Sequence, residues 1–160
     1  MVRAMNLILG IETSCDETAA AVVANGCEVR SNVISSQIAR HAPFGGVVPE
    51  LAAREHLLAI EPVTTAALRE AGCELRELAA VAVTAGPGLM PALLVGLSHA
   101  KGLALGHDLP LIGVDHVLAH IYGAFLDDGQ AAALSAPATY PLLALVVSGG
   151  HTLLVLVQAD

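Results

Sequence analysis

An asparagine–glycine pair within the first thirty residues most constrains the fold of this chain. Asn25-Gly26 lies between two apolar segments, Ala19–Ala24 and Glu28–Ile34. Asn-Gly favours the positive φ values that a tight hairpin turn requires. A third apolar segment, Asn6–Glu12, precedes the polar turn Thr13–Thr18. The pattern therefore predicts three antiparallel strands at the start of the chain.

Helices and strands alternate after these three strands. Helical spacing predicts a helix over about residues 48–71, which Pro62 should break or kink and Gly72 should end. The later elements are predicted as strands at Leu78–Thr84, Leu109–Val114, Leu142–Val147 and Thr152–Val157, with helices at Pro91–Leu105 and from His116 to about Leu126.

The element order resembles that of a ribonuclease-H-like lobe, the building block of the actin, hexokinase and Hsp70 ATPase superfamily. We therefore predict an α/β fold, with a mixed five-stranded sheet and flanking helices. We expect residues 1–138 to form this lobe, and residues 139–160 to be the opening hairpin of a second lobe. On this interpretation the chain is part of a longer protein, and alone it should be inactive.

Composition excludes some functions and suggests others. The chain is 55% hydrophobic and 14% charged, with seven Lys and Arg and a net charge of -8. No apolar run is long enough to span a membrane, so the apolar excess predicts contact with another subunit, or self-association. Few cations and few aromatics leave this chain without a surface of its own for nucleic acid. Three widely spaced cysteines (Cys15, Cys27, Cys73) indicate no disulfide framework and fit a reducing cytoplasm.

Two histidines directly follow the predicted strand Leu109–Val114. His116 and His120 are four residues apart and so share one face of a helix, where both can reach one ion. Functional groups gather beyond the carboxyl ends of parallel strands, which favours a metal site. A pair of hydrogen-bonded structural histidines satisfies the same spacing. The histidines left without an assignment are His41, His56, His99 and His107.

Three further motifs each allow two interpretations. Asp16-Glu17 is a solvated acidic turn or a pair of carboxylates that face a ligand. Gly86-Pro87-Gly88 is a plain connection from strand to helix or a loop that faces a ligand. Ser148-Gly149-Gly150-His151 is an ordinary glycine hairpin or a cradle of backbone N–H groups for an anion.

Five motifs along the chain belong together. They are Gly10–Thr18, Gly45–Glu50 with Ala53–His56, Thr84–Leu89, Val114–His120 and Val147–Thr152. In this order they closely resemble the TsaD family, the tRNA threonylcarbamoyladenosine transferases once described as O-sialoglycoprotein endopeptidases. The resemblance implies transfer of a threonylcarbamoyl group from threonylcarbamoyl-adenylate to the N6 amine of the adenosine next to the anticodon.

The resemblance implies a role for each motif. Asp16 or Glu17 would act as general base or orienter for the adenine amine. His116 and His120 would hold a divalent iron or zinc ion, with a further aspartate ligand from the second lobe. The adenine nucleotide or threonylcarbamoyl-adenylate would contact residues drawn from Glu12, Thr13, Ser14, Gly86, Gly88, Ser148, Gly149, Gly150 and His151.

The resemblance also implies partners, namely a TsaB-like paralogue, a TsaE-like ATPase and the tRNA substrate, in the cytoplasm and away from membranes. Two other classes of function remain open. A catalytically silent, TsaB-like scaffold would share the fold, but it would not need the His116–His120 pair. A metalloprotease of the HExxH type would need glutamate where Val117 stands.

Overall fold

The computed structural model describes residues 6–127, 140–148 and 152–158. Three strands open the chain: β1 (Leu7–Glu12), β2 (Glu17–Ala24) and β3 (Glu28–Ser36). They pair antiparallel in chain order, and the turn between β2 and β3 has φ values of 54° at Asn25 and 76° at Gly26. The predicted hairpin is confirmed. β2 begins two residues earlier than predicted, which shortens the polar turn after β1.

The remaining elements complete a mixed sheet of five strands in the order β3-β2-β1-β4-β5, where β1, β4 and β5 are parallel. The predicted five-stranded α/β fold with flanking helices is confirmed. In chain order the elements are α1 (Ile38–His41), a 3-10 turn (Ala42–Phe44), α2 (Pro49–Ala71), a 3-10 turn (Leu75–Glu77), β4 (Ala80–Gly86), α3 (Met90–His107), β5 (Leu111–Asp115), α4 (His116–Asp127), β6 (Leu142–Val147) and β7 (Thr152–Val157).

The helix α2 runs through Pro62 as a single helix of 23 residues, so the predicted break at this proline is wrong, whereas a kink there stays a prediction. Pro62 itself is exposed, while Ile60 and Val63 on either side are buried in the core. Burial of the apolar face on both sides of the proline offsets the roughly 3 kcal/mol that a proline costs within a helix. Gly72 ends α2 as predicted, with φ of 68° and its N–H donating to the carbonyls of Leu68 and Arg69.

The core lies between the sheet and helices α2 and α3. Alternate residues of the central strands are fully buried, as the two-residue period of a strand requires. Among them are Leu9 and Ile11 on β1, Val22 on β2, and Val81 and Val83 on β4. This core fixes the carboxyl ends of β1 and β4 side by side.

Residue contacts divide the chain into two compact units, residues 1–116 and 117–160. In the second unit, β6 and β7 form a two-stranded antiparallel sheet in which Leu142 pairs with Val157 and Val147 with Thr152. The bounds of both strands are those predicted. Assignment of residues 139–160 to a second lobe stays a prediction.

No helix in the described part of the chain has the length and apolar character needed to cross a membrane.

Candidate functional site

The carboxylate of Glu12 joins three neighbouring strand ends. Glu12 is the last residue of β1, Thr84 lies near the end of β4, and His116 directly follows β5. The Thr84 hydroxyl donates to Glu12 Oε2 at 2.6 Å, and His116 Nδ1 lies 3.1 Å from the same oxygen. Glu12 Oε1 accepts a hydrogen bond from the backbone N–H of Ser14. The cluster thus lies at the edge of the sheet where α/β proteins place their ligands.

Hydrogen bonding keeps Glu12 ionised. Burial acts to raise the pKa of this carboxyl, but hydrogen bonds from Thr84, Ser14 and His116 outweigh it and hold the pKa below its ordinary value. A carboxylate can only accept, so we assign the proton of this contact to His116 Nδ1. In this tautomer the lone pair of the ring is on Nε2, which is the atom that a metal ion would need.

The residues present fit a metal ion in part. α4 carries both His116 and His120, one helical turn apart, as their spacing predicted. A histidine that donates its other ring N–H to a carboxylate, as His116 does to Glu12, is the usual arrangement of a metal-binding imidazole. Among the described residues, however, no three His, Cys, Asp or Glu side chains gather closely enough to hold a metal ion. Metal binding at this pair stays a prediction.

The acidic turn after β1 places its two carboxylates differently. Asp16 is half-buried, whereas Glu17 is exposed and is the first residue of β2. The backbone carbonyl of Asp16 accepts a hydrogen bond of 2.9 Å from the N–H of Gln37. A shallow depression of about 210 Å³ lies beside Asp16, lined also by Ile38, His41, Ala42, Gly46 and Val47.

The thiol between Ser14 and Asp16 is a poor nucleophile at neutral pH. Partial burial, together with the negative charges of Asp16, Glu12 and Glu17, raises the pKa of Cys15 to about 11. Only a small fraction of this thiol is therefore ionised at pH 7.

The turn at Thr13 and Ser14 is packed tightly against the start of α3. Both residues are buried, and the Thr13 hydroxyl donates to the Ala92 carbonyl at 2.9 Å. The Ser14 carbonyl accepts from the N–H of Leu89 at 2.8 Å, and a Cβ on Gly88 would lie only 2.7 Å from the same oxygen. Glycine is therefore required at position 88 for close approach. Gly86 has φ of 149°, which a residue with a side chain rarely adopts.

A buried hydrogen-bonded chain lies beneath the Cys15–Asp16 turn. The Val48 N–H lies 3.3 Å from His41 Nδ1, and His41 Nε2 lies 3.0 Å from Gln37 Oε1. Gln37 Nε2 is 3.2 Å from His56 Nδ1, which also accepts from the Thr18 hydroxyl at 2.7 Å. His56 Nε2 completes the chain at 3.1 Å from the Cys15 carbonyl. We call these side chains the His41–His56 network.

This network was not predicted from the sequence, although the sequence carries one signal for it. His56 falls on the same helical stripe as Ala52, Ile60, Val63 and Ala67, all of them buried. A histidine on an apolar stripe is itself buried, and a buried imidazole needs partners for both ring nitrogens. Burial also lowers the pKa of His56, although its bond to the Cys15 carbonyl acts in the opposite direction.

The second unit carries the remaining candidate residues. Ser148 follows β6 and is exposed, while Gly149, Gly150 and His151 lie outside the described residues. Within this unit His120 and Ser148 line an open pocket of about 390 Å³, together with Ile121, Phe125 and residues of β6.

The fold is shared with solved structures. YeaZ from Pseudomonas aeruginosa matches with a TM-score of 0.56 over 78% of this chain and 52% of that chain, at 21% sequence identity. A likeness at this identity shows the fold alone. The chain is thus an α/β lobe with a mixed five-stranded sheet, and a polar cluster lies at the ends of β1, β4 and β5.

Sequence comparison gives the family. The sequence profile described as "TsaD: tRNA N6-adenosine threonylcarbamoyltransferase" matches residues 28–160, so the chain belongs to the TsaD family. A relative named tRNA N6-adenosine threonylcarbamoyltransferase from Geobacillus kaustophilus is 58% identical over 151 residues, which are 94% of this chain and 42% of the relative. A relative of the same name from Listeria innocua is 53% identical over 161 residues, covering 100% of this chain and 44% of the relative. The chain thus spans less than half the length of these relatives.

Proposed function

We propose that the protein to which this chain contributes transfers a threonylcarbamoyl group from threonylcarbamoyl-adenylate to the N6 amine of the anticodon-adjacent adenosine of tRNA. Family membership supports the reaction class. The observation that carries the proposal for this chain is the Glu12 cluster, where an ionised carboxylate, Thr84 and His116 meet beside the Asp16 turn.

The chemistry requires a positioned amine and an acceptor for its proton. The adenine nitrogen forms a bond to the carbamoyl carbon, the bond from that carbon to the phosphate oxygen breaks, and AMP leaves with the electron pair. An exocyclic adenine amine is a weak nucleophile, so orientation and a nearby base both contribute. Asp16 is the better candidate for the base, because it lines the depression whereas Glu17 is exposed.

His116 and His120 are the residues that would hold a divalent iron or zinc ion, with further ligands from outside the described residues. Such an ion, when bound, supplies positive charge that polarises the carbonyl or carboxylate of the threonylcarbamoyl group. Glu12 contributes by holding the His116 ring through Nδ1, which fixes its tautomer and orientation.

The proposed function also requires residues that contact the adenylate and partner proteins that bind the chain. The Ser14 hydroxyl, Gly86, Gly88 and residues 148–151 are the candidates for contact with the adenylate, whereas the Thr13 hydroxyl and both backbone groups of Ser14 are already bonded. Because the chain has a net charge of -8, most of the cationic surface that binds tRNA belongs to other parts of the protein or to its partners. We propose a TsaB-like paralogue and a TsaE-like ATPase as partners, in the cytoplasm.

The test is a chimaera in which this chain replaces the matching segment of the Geobacillus kaustophilus relative. Purified chimaera is supplied with partner proteins, threonylcarbamoyl-adenylate and unmodified tRNA, and the nucleosides are analysed by mass spectrometry. We expect threonylcarbamoyladenosine, with at least about a hundredfold loss of rate in Asp16→Ala and a smaller loss in Glu17→Ala. An active chimaera whose rate is unchanged by both Asp16→Ala and His116→Ala would instead indicate a silent scaffold segment.

A further inference from the structure

The direction of the His41–His56 network is fixed at both of its ends. The Val48 N–H can only donate, so His41 Nδ1 accepts and His41 Nε2–H donates to Gln37 Oε1. The Cys15 carbonyl can only accept, so His56 Nε2 carries a proton and His56 Nδ1 accepts from Gln37 and Thr18. Each imidazole is therefore held in a single tautomer.

The network holds one of the two peptide groups that flank Asp16. The Cys15 carbonyl belongs to the same planar peptide unit as the Asp16 nitrogen, and His56 Nε2–H bonds to that carbonyl. The next peptide unit contains the Asp16 carbonyl, which accepts from the Gln37 N–H. Because both planes are held, the φ and ψ angles of Asp16 are fixed, and so is the direction of its Cα–Cβ bond.

The hydrogen-bond donors to the Cys15 and Asp16 carbonyls, His56 and Gln37, both belong to the His41–His56 network. Gln37 supplies its backbone N–H to Asp16 and its side-chain amide to His56, while His56 is fully buried on α2. The long helix α2 thus acts on the short acidic turn through a side chain that cannot reach solvent. The bond to the Cys15 carbonyl is itself partly buried, which strengthens it relative to a fully exposed hydrogen bond.

We propose that His56 is a positioning residue for the transfer reaction, acting through the Cys15 carbonyl to aim the Asp16 carboxylate at the reacting amine. The inference rests on the proposed function, in which Asp16 is the base. His56 itself touches neither substrate nor reacting atoms in this assignment.

The chain provides conservative and disruptive variants at this position. His56→Gln places an amide N–H where imidazole Nε2 was, and so keeps a donor for the Cys15 carbonyl. His56→Asn has a shorter side chain that can still accept from Gln37 and Thr18 but does not reach that carbonyl. His56→Leu removes both functions.

His99 serves as the matched control. It lies on α3 outside the network, and burial lowers its pKa as it does that of His56. Its buried Nε2 has no hydrogen-bond partner within the described part of the chain. His99→Leu therefore reports the cost of replacing a partly buried histidine without any change at the Asp16 turn.

The experiment measures kcat and KM for threonylcarbamoyl-adenylate in the chimaera defined above, with thermal melting to confirm folding. We expect His56→Asn and His56→Leu to lower kcat by roughly 10- to 100-fold, with KM for the adenylate within about twofold, because a displaced base affects chemistry more than binding. His56→Gln should recover most of kcat, and His99→Leu should leave kcat unchanged. In an Asp16→Ala background, His56→Asn should cause no further loss, since the two residues act as a unit.

Several results would overturn the inference. One is an unchanged kcat in His56→Asn, and another is an equal loss from His56→Asn with and without Asp16. If His56→Leu fails to fold, His56→Asn and His56→Gln still decide the question, because they differ in the bond to Cys15 and both keep a polar side chain. An unsubstituted chimaera that makes no threonylcarbamoyladenosine contradicts the proposed function itself, so the two failures are distinguishable.

Discussion

Glu12 is the side chain on which the candidate site depends most, because it joins the end of β1 to Thr84 on β4 and to His116 after β5. Its carboxylate accepts hydrogen bonds from Ser14, Thr84 and His116. Removal of its charge weakens all three contacts at once, since hydrogen bonds to a charged group contribute about 1.5–3 kcal/mol.

We therefore predict that Glu12→Gln lowers the free energy of unfolding of the chain by about 1–3 kcal/mol, measured by urea denaturation. If His116 binds metal, the same variant of the chimaera should lose about 10- to 100-fold in metal affinity, because the partner that orients the ring has changed. Glu28→Gln on the exposed start of β3 is the control and should alter neither quantity. Equal stability of Glu12→Gln and Glu28→Gln would contradict the role given to the Glu12 cluster.

Cys15 allows the electrostatics of the acidic turn to be measured directly. Burial and the neighbouring carboxylates raise the pKa of Cys15 to about 11. Alkylation by iodoacetamide should therefore be slow at pH 8, and its rate should increase as the pH approaches this pKa. Asp16→Asn removes the nearest negative charge and should increase the rate at pH 8 several-fold. Mass spectrometry of the Cys15 peptide gives the rate, with Cys27 in the same sample as a check on the reagent. An unchanged rate would show that Asp16 does not act on this thiol.

His56 predicts how stability depends on pH. Burial lowers its pKa in the folded state below 6.5, while its bond to the Cys15 carbonyl and the charges of Glu12 and Asp16 act in the opposite direction. The unfolded chain therefore binds a proton first as the pH falls, so stability is lost below about pH 6.5, down to the folded-state pKa. His99 adds a slope of the same sign. Urea denaturation between pH 7.5 and 5.5 should show a smaller loss in His56→Gln than in the parent chain, and identical slopes would contradict the prediction.

At the scale of single elements, the glycines of α3 have different roles although they lie on one helix. A Cβ on Gly96 would overlap the Thr13 side chain, whose hydroxyl is bonded to Ala92. A Cβ on Gly102 would meet nothing within 4 Å. The first glycine permits close packing between helix and turn, whereas the second only weakens the helix.

Alanine substitutions should therefore have opposite effects on stability. Gly102→Ala should stabilise the chain by about 0.5–1 kcal/mol through helix propensity alone. Gly96→Ala should destabilise it by about 1–3 kcal/mol, because Thr13 must move and lose its bond to the Ala92 carbonyl. The melting temperatures of the two variants test this prediction. A Gly96→Ala variant that melts at the same temperature as the parent would show that the Thr13 turn can shift without loss of stability.

The elements differ in how far the sequence could predict them. The hairpin at Asn25-Gly26 and the helix end at Gly72 follow from local backbone preference, and both were predicted. The predicted break at Pro62 does not occur, because burial of Ile60 and Val63 in the core outweighs the local preference of the proline. The His41–His56 network could not be derived, since it depends on contacts between segments as far as 41 residues apart. The order of the strands indicated that polar residues at the ends of β1, β4 and β5 would lie close together. It did not indicate the hydrogen bond between Glu12 and His116.

At the scale of the whole molecule, exposed apolar side chains on α3 predict self-association of the chain. Met90, Leu94 and Leu105 lie on one face of the helix and are 68%, 52% and 85% exposed. Apolar patches of more than a few hundred Å² are rarely left uncovered in monomeric proteins. We expect a symmetric contact between copies that involves this face and residues of α4, as two-fold pairing is the commonest closed arrangement.

Light scattering at micromolar concentration tests the contact. The chain should have the mass of a dimer, and the double variant Leu94→Glu, Leu105→Glu should shift it towards monomer. Val29→Glu on β3 also adds charge at an exposed apolar position and serves as the control. A monomer mass for the unsubstituted chain would show that the apolar face of α3 needs no partner.

β1 pairs with its chain neighbour β2 on one side and with the distant β4 on the other, which sets an order of assembly. The three-stranded meander is closed by short turns, and such local contacts form quickly. Glu12, by contrast, meets Thr84 from 72 residues away and His116 from 104 residues away. During synthesis on the ribosome, the meander can therefore form while the later strands are still being made. The polar cluster is completed only after β5 has docked, so a half-folded lobe has the Glu12 carboxylate bonded to the nearby Ser14 N–H but not to Thr84 or His116.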